Sequence, residues 1–177
     1  MSRAASGKHA AAAPGHGARA LAVAFLALTP VASLGAASVV SCTVSVAGGV
    51  AFGVYNPFSA TPTYANGTVS ASCTLVSGPA TTVNLVSSYT TGASGSYNPR
   101  TLVSGAHVLD YNLYYDAGYT EIRGNGTGGS QTGGATFTLT PAAPTQSTSD
   151  TLYGRMPAGQ NAAVGTYSDS IMVTITY

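Results

Sequence analysis

The stretch that decides the fold is "GTYSDSIMVTITY", residues 165–177. Within it Ile171, Val173, Ile175 and Tyr177 alternate with Met172, Thr174 and Thr176. Successive side chains of a strand point to opposite faces, so this is the period of a half-buried β-strand. The same alternation recurs upstream. "VVSCTVSV" sets Val40, Cys42, Val44 and Val46 on one face. "TVSASCTLV" does so with Val69, Ala71, Cys73 and Leu75, and "VLDYNLYY" with Leu109, Tyr111, Leu113 and Tyr115. "TTVNLVS", "ATFTLT" and "TLYGRM" are shorter candidates.

Between these runs the chain reads as loops. "YNPFSATPTYANG" carries two prolines and an Asn-Gly turn signal, "GNGTGGSQTGG" is glycine-rich, and "PAAPTQSTSD" is a breaker segment. Asn66-Gly-Thr and Asn125-Gly-Thr match the glycosylation pattern but read as ordinary turns. Seven or eight short strands in about 140 residues indicate an all-β chain, an immunoglobulin-like β-sandwich. That length is enough to bury one core.

The first part of the chain reads differently. Arg3, Lys8 and Arg19 form a basic region, "ALAVAFLALTPVA" an apolar core short for a bilayer span, and "SLGAAS" a small-residue cleavage region. Residues 1–37 are therefore expected to be a signal peptide, with residues 38–177 as the exported domain. That domain has no lysine, and three arginines against five carboxylates leave it a net charge of −2. Nothing basic remains to track nucleic acid or an anionic membrane surface. No membrane insertion is expected once the signal is removed.

Cys42 and Cys73, 31 positions apart, both fall in the exported part. An even count in an oxidising compartment reads as one disulfide. Each cysteine sits among the apolar residues of its strand, so the bond would pin two core-facing positions. Two cysteines at this spacing lack the further ligands of a zinc site.

A catalytic set is hard to assemble. His107 is the single histidine after the signal, and Asp110 three positions on points to the other face of a strand. No GxSxG elbow, HExxH helix or phosphate loop is present. Asp116 and Glu121 flank the turn "DAGYTE", which reads as a solvated hairpin tip and not as a calcium loop. The chain is read as a non-enzyme, with no cofactor and no metal. Tyrosine is abundant, eleven in all, with no tryptophan. Tyr111, Tyr153, Tyr167 and Tyr177 are assigned mostly to the core, while Tyr55, Tyr64 and Tyr119 near loops are freer to make contacts.

"CTVSVAGGVAFGVYNP", "GTVSASC", "YNPRTL", "LDYNLYYD" and "LYGRMPAGQNAAVGTYSDSIMVTITY" resemble the motifs of spore coat protein U domains. The likeness runs from Cys42 to Tyr177. Its structural motif residues here are Tyr111, Asn112, Leu113, Tyr153, Gly154, Arg155, Gln160, Gly165 and Asp169. That family includes pilus subunits of archaic chaperone–usher systems. The resemblance implies an incomplete sandwich that lacks its final strand and is completed by donor-strand complementation. A periplasmic PapD-like chaperone would fill the groove in transit. A neighbouring pilus subunit's extension would replace it at an outer-membrane usher, giving an extracellular fimbria that supports surface attachment or biofilm formation. Tyr167, Ile171, Val173, Ile175 and Tyr177 are the candidates for the acceptor groove and terminal strand.

Two departures stand out. Family members often carry Trp-Gly-Asp-Gly where this chain has Arg123-Gly124-Asn125-Gly126, so loss of a large apolar contact is expected there. Cleavage near Ala37 leaves "SVVS" before Cys42, roughly 13 Å of strand, short for a donor. The expectation is a subunit that accepts a strand and donates none, as suits a tip or minor position, unless cleavage falls elsewhere or strand 39–46 is rearranged. The alternatives are a tip adhesin or carbohydrate-binding module of the same architecture, and a self-complete spore-coat or matrix protein.

Overall fold

The computed structural model describes residues 35–177, so residues 1–34 of the expected signal peptide lie outside the described part. The strands are β1 (Val39–Ala47), β2 (Thr63–Ser77), β3 (Thr81–Tyr89), β4 (Arg100–Ser104) and β5 (His107–Tyr114). They continue with β6 (Ile122–Arg123), β7 (Ser130–Gln131), β8 (Gly133–Leu139), β9 (Thr145–Met156) and β10 (Val173–Thr176). One sheet runs β1-β2-β9-β5-β6-β7, with β4 also pairing β5, and the other runs β10-β3-β8. The all-β sandwich inferred from alternation is the fold observed.

The backbone of the larger sheet is the antiparallel pair β2–β9, from Thr63 opposite Met156 to Thr74 opposite Thr145. Its inner face carries Val69, Ala71, Cys73 and Leu75 from β2 and Leu152 and Met156 from β9, all buried. Val83 and Leu85 of β3 and Phe137 and Leu139 of β8 close over Ala71, Cys73 and Leu75. Cys42 and Cys73 are directly opposite in the β1–β2 register and are bonded.

Several expectations change. Asn66-Gly67 is not a turn: both residues lie inside β2. Gly67 is there because of a close approach, since a Cβ on it would stand 2.7 Å from the Gly49 carbonyl oxygen and 2.9 Å from Val50. The breaker segment supplies Thr145–Asp150 to β9. Cross-strand bonds from Ser70 Oγ to Ser149 Oγ (2.7 Å) and from Thr74 Oγ1 to Thr145 Oγ1 (3.0 Å) hold it. A long partner strand here outweighs weak local propensity. The regular terminal stretch shortens to four strand residues, with Tyr177 beyond them and exposed.

Two buried arginines replace apolar filling. Arg100 donates from Nη1 to Asn112 Oδ1 (2.7 Å) and from Nη2 to the carbonyls of Thr90 (3.0 Å) and Arg123 (2.6 Å). Asn112 Nδ2 donates to the Tyr97 carbonyl (2.7 Å), so the "YNPR" and "DYNL" motifs meet in one knot. Arg123, where apolar contact was expected to be lost, is 1% exposed. Its guanidinium lies 3.7 Å from the Tyr115 ring centroid and 5.5 Å from that of Tyr89, and Nη2 is 3.1 Å from Asp150 Oδ2. A planar cation stacked on tyrosines fills the place with flat surface, provided a carboxylate accompanies it.

Candidate functional site

The core is not covered equally on all sides. β1 pairs with β2 on one edge, and β10 with β3 on one edge. Their other edges have no strand partner among the described residues. Val44 and Val46 stand opposite Ala71 and Val69 and so face inward, yet they are 40% and 48% exposed. Across from them Ile171, Val173 and Ile175 are only half-buried.

The two edges approach the same clusters in opposite chain order. Val40 and Cys42 pack with Ile175 on the first cluster. Val50 joins Ile171 and Val173 on Val69, Tyr89 and Leu152. Phe52 and Tyr55 join Ala162, Tyr167 and Ile171 on Leu109, Tyr111, Leu113 and Met156. The result is an apolar trough with β1 and its continuation as one bank and β10 and its approach as the other. At one end it widens to a cleft of about 710 Å³ between residues 50–57 and 162–169, floored by Leu102, Leu109 and Met156. Val54 and Val164 stand exposed at its rim.

The banks are held rigidly, and the motif residues do the holding. Asp169 Oδ1 accepts from the Ala93 backbone N–H (2.8 Å), and Oδ2 accepts from the Tyr111 hydroxyl (2.6 Å). A side chain on Gly92, at φ +70°, would strike that carboxylate. Burial first, and the bond to Asp169 second, push the Tyr111 hydroxyl above its ordinary pKa. Ser168 exchanges two backbone bonds with Val103, 2.8 and 3.1 Å. Gln160 acts as a substitute strand: its Oε1 accepts from the Asp110 N–H (2.6 Å) and its Nε2 donates to the Asp110 carbonyl (2.8 Å). Tyr55 crosses the trough end, donating to the Pro157 carbonyl (2.9 Å) and accepting from the Gln160 N–H (2.8 Å). Gly154 leaves room for the opposite bank, since a Cβ there would lie 2.5 Å from Val50 and 2.9 Å from Phe52. Gly165 has the same role against Ser104.

Of the residues named from sequence, Tyr167, Ile171, Val173 and Ile175 line one bank, and Tyr177 lies past it. Leu113 and Tyr111 form the floor. Tyr153 and Arg155 sit on the outer face of the sheet, away from the trough, and Asn112 is buried in the knot with Arg100 and Tyr97. Tyr153 and Tyr177 are thus not core residues: β9 turns Leu152, Gly154 and Met156 inward, which puts Tyr153 outward. The sequence reading missed Val50 and Phe52, because their stretch forms no regular strand. Their signal was "GGVAFGVY", apolar residues spaced by two between glycines. Among the described residues no group of three His, Cys, Asp or Glu side chains is placed to hold a metal. Asp116 turns its carboxylate onto its own hairpin, accepting from the backbone N–H of Glu121 and Thr120 and from the Thr120 hydroxyl. Those bonds hold it below the usual carboxylate pKa.

Residues 27–174 match the Spore Coat Protein U domain. The chain belongs to this family. Protein U of Myxococcus xanthus is 30% identical over 133 residues, 71% of this chain and 70% of that protein. A solved structure is also similar, the CsuC–CsuE chaperone–tip adhesion subunit pre-assembly complex from archaic chaperone–usher Csu pili of Acinetobacter baumannii. Its TM-score is 0.42 and its identity 15%, over 78% of this chain and 40% of that one. In this spore coat protein U domain the clamps at Tyr111, Gln160 and Asp169 fix the banks of the trough, and Gly154 and Gly165 leave room for their close approach.

Proposed function

We propose that this chain is a structural subunit of a chaperone–usher fibre, and that its trough accepts an extended strand from a partner. The observation that carries this is the pair of unpaired edges facing each other over one apolar floor. A strand laid between β1 and β10 would cover Val44, Val46, Ile171, Val173 and Ile175. It would also meet backbone groups that otherwise face water. Each buried Val or Ile side chain contributes about 1.5–3 kcal/mol, and the backbone bonds add register. Left uncovered, such edges invite aggregation. The role is structural and not catalytic.

On this reading residues 1–37 export the chain and residues 38–177 form the subunit. A PapD-like periplasmic chaperone supplies the covering strand in transit. Neighbouring subunits supply it after the usher, in a surface fibre that serves attachment or biofilm formation. Head-to-tail joining whose rotation does not close on itself yields an open fibre.

The test is hydrogen exchange on the purified exported chain, with and without a synthetic peptide alternating Val or Ile with Thr. Added peptide is expected to slow exchange along β1 and β10 and to raise the melting temperature. If both strands are already as protected as β2 in the lone chain, and the peptide changes nothing, the sandwich is self-complete and the proposal fails.

A further inference from the structure

The outer face of the larger sheet, opposite the trough, carries a second feature. In the paired registers Tyr64 stands opposite Arg155, Asn66 opposite Tyr153, and Tyr114 opposite Tyr153. Three adjacent strands thus present tyrosines, an asparagine and an arginine as one grid. The β5–β6 hairpin folds Tyr119 over this grid. Its ring centroid lies 4.8 Å from Tyr64, 5.5 Å from Tyr114 and 6.4 Å from Tyr153.

Two observations bear on what this cluster does. Among the described residues Tyr119 is the non-glycine residue with positive φ, +57°, a conformation that an aromatic side chain rarely adopts. The Asp116 bonds described above and the Tyr119 N–H to Asp116 carbonyl bond (3.1 Å) hold it there. Strain kept in place by surrounding bonds points to a use for the ring it positions. The second observation concerns the hydroxyls. Those of Tyr55, Tyr97, Tyr111 and Tyr167 are all bonded to protein. Those of Tyr64, Tyr114, Tyr119 and Tyr153, gathered on one face, have no hydrogen-bond partner among the described residues; those of Tyr89, Tyr115 and Tyr177 also have none but lie apart from this face. Arg155 Nε is buried and likewise unpartnered.

From this geometry we infer that the face is a saccharide-binding platform, taking a neutral hexose oligomer. Aromatic faces receive the C–H face of a pyranose ring, while unbonded phenol hydroxyls and the exposed Asn66 amide meet its hydroxyls. A purely apolar partner would leave those polar groups without bonds, which costs affinity. The two carboxylates of the same hairpin, Asp116 and Glu121, and the net negative charge of the exported domain disfavour an acidic polymer. The site lies on the opposite face from the trough and stands or falls independently of strand acceptance.

The test is titration of the exported chain with cellohexaose and laminarihexaose, followed by tyrosine fluorescence, with a mannuronate hexamer as charged control. The unmodified chain and His107→Ala, remote on the β4–β5 hairpin, are expected to bind a neutral hexamer. Tyr119→Gly, which removes the ring and suits the backbone, and Tyr64→Ala are each expected to weaken binding about tenfold. The inference is overturned if the unmodified chain binds neither neutral hexamer at millimolar concentration. It is equally overturned if both tyrosine variants bind as well as the unmodified chain, or if binding is confined to the mannuronate.

Discussion

β1 and β2 are neighbours in one sheet, bonded to each other by a disulfide, and written in nearly the same alternation. Their inner faces have different fates. Val69 and Ala71 of β2 are buried, while Val46 and Val44 directly opposite them are roughly half-exposed. β2 has a strand on each side and the β3–β8 layer above it. β1 has a strand on one side, and the layer above it stops at β10. Alternation therefore specifies which face of a strand seeks cover. Whether that cover exists depends on what the rest of the chain brings there.

Mutations sharpen this contrast most. Leu139→Ala, in the closed part, is expected to cost about 4 kcal/mol, since Leu139 is fully buried and a cavity would remain. Val46→Ala, on the open side, is expected to cost less than about 0.5 kcal/mol in the lone chain. Urea unfolding of both variants checks it, and equal losses would show the trough to be as well packed as the closed core. With a strand peptide bound, the Val46→Ala cost should rise.

Reduction of Cys42–Cys73 should come next, at about 3.5 kcal/mol for a loop of 31 positions. The same reduction should raise exchange in β1 well before β2, because the bond ties the open edge to the closed part. Uniform loosening of both strands, read by hydrogen exchange with and without reductant, would break the comparison.

The smallest effect is alkaline. Burial raises the folded pKa of Tyr111, reinforced by Asp169, and burial also raises that of Tyr89. Both are bonded or stacked beside the trough. In the unfolded chain a tyrosine ionises near pH 10. The stability contributed by a raised pKa is complete below that value and is lost as pH rises through the folded one. Above about pH 10 the unfolding free energy from urea titration should therefore fall, by up to about 1.4 kcal/mol per pH unit for each such tyrosine. Tyr111→Phe should shallow that slope, and an unchanged slope would remove Tyr111 from the account.

Much of the sandwich was legible because a two-residue period is a local property. β1, β3, β5 and β8 are visible in the pattern of Val, Leu, Tyr and Thr alone. Pro141-Ala-Ala-Pro144 is the turn it reads as, but the Asn66-Gly67 reading and the Thr145–Asp150 part of the breaker segment failed for one reason: local preference was judged where a long-range partner decides. β9 is a strand through Thr145–Asp150 because β2 lies beside it. The candidate site was half legible. Ile171, Val173 and Ile175 alternate, but Val50 and Phe52 on the facing bank lie in irregular backbone. Nothing in the sequence sets them near residues more than a hundred positions away.

Side-chain period and count are enough for the fold class, the inward faces of β1, β2 and β5, and the pairing of the two cysteines. The tertiary structure decided that Arg123 replaces an apolar filler by stacking on Tyr115 beside Asp150. It decided that Asp169 and Gln160 clamp the walls, and that one flank of the core stays open. Those outcomes depend on which edges meet across the sandwich, and edges meet through the packing of distant segments.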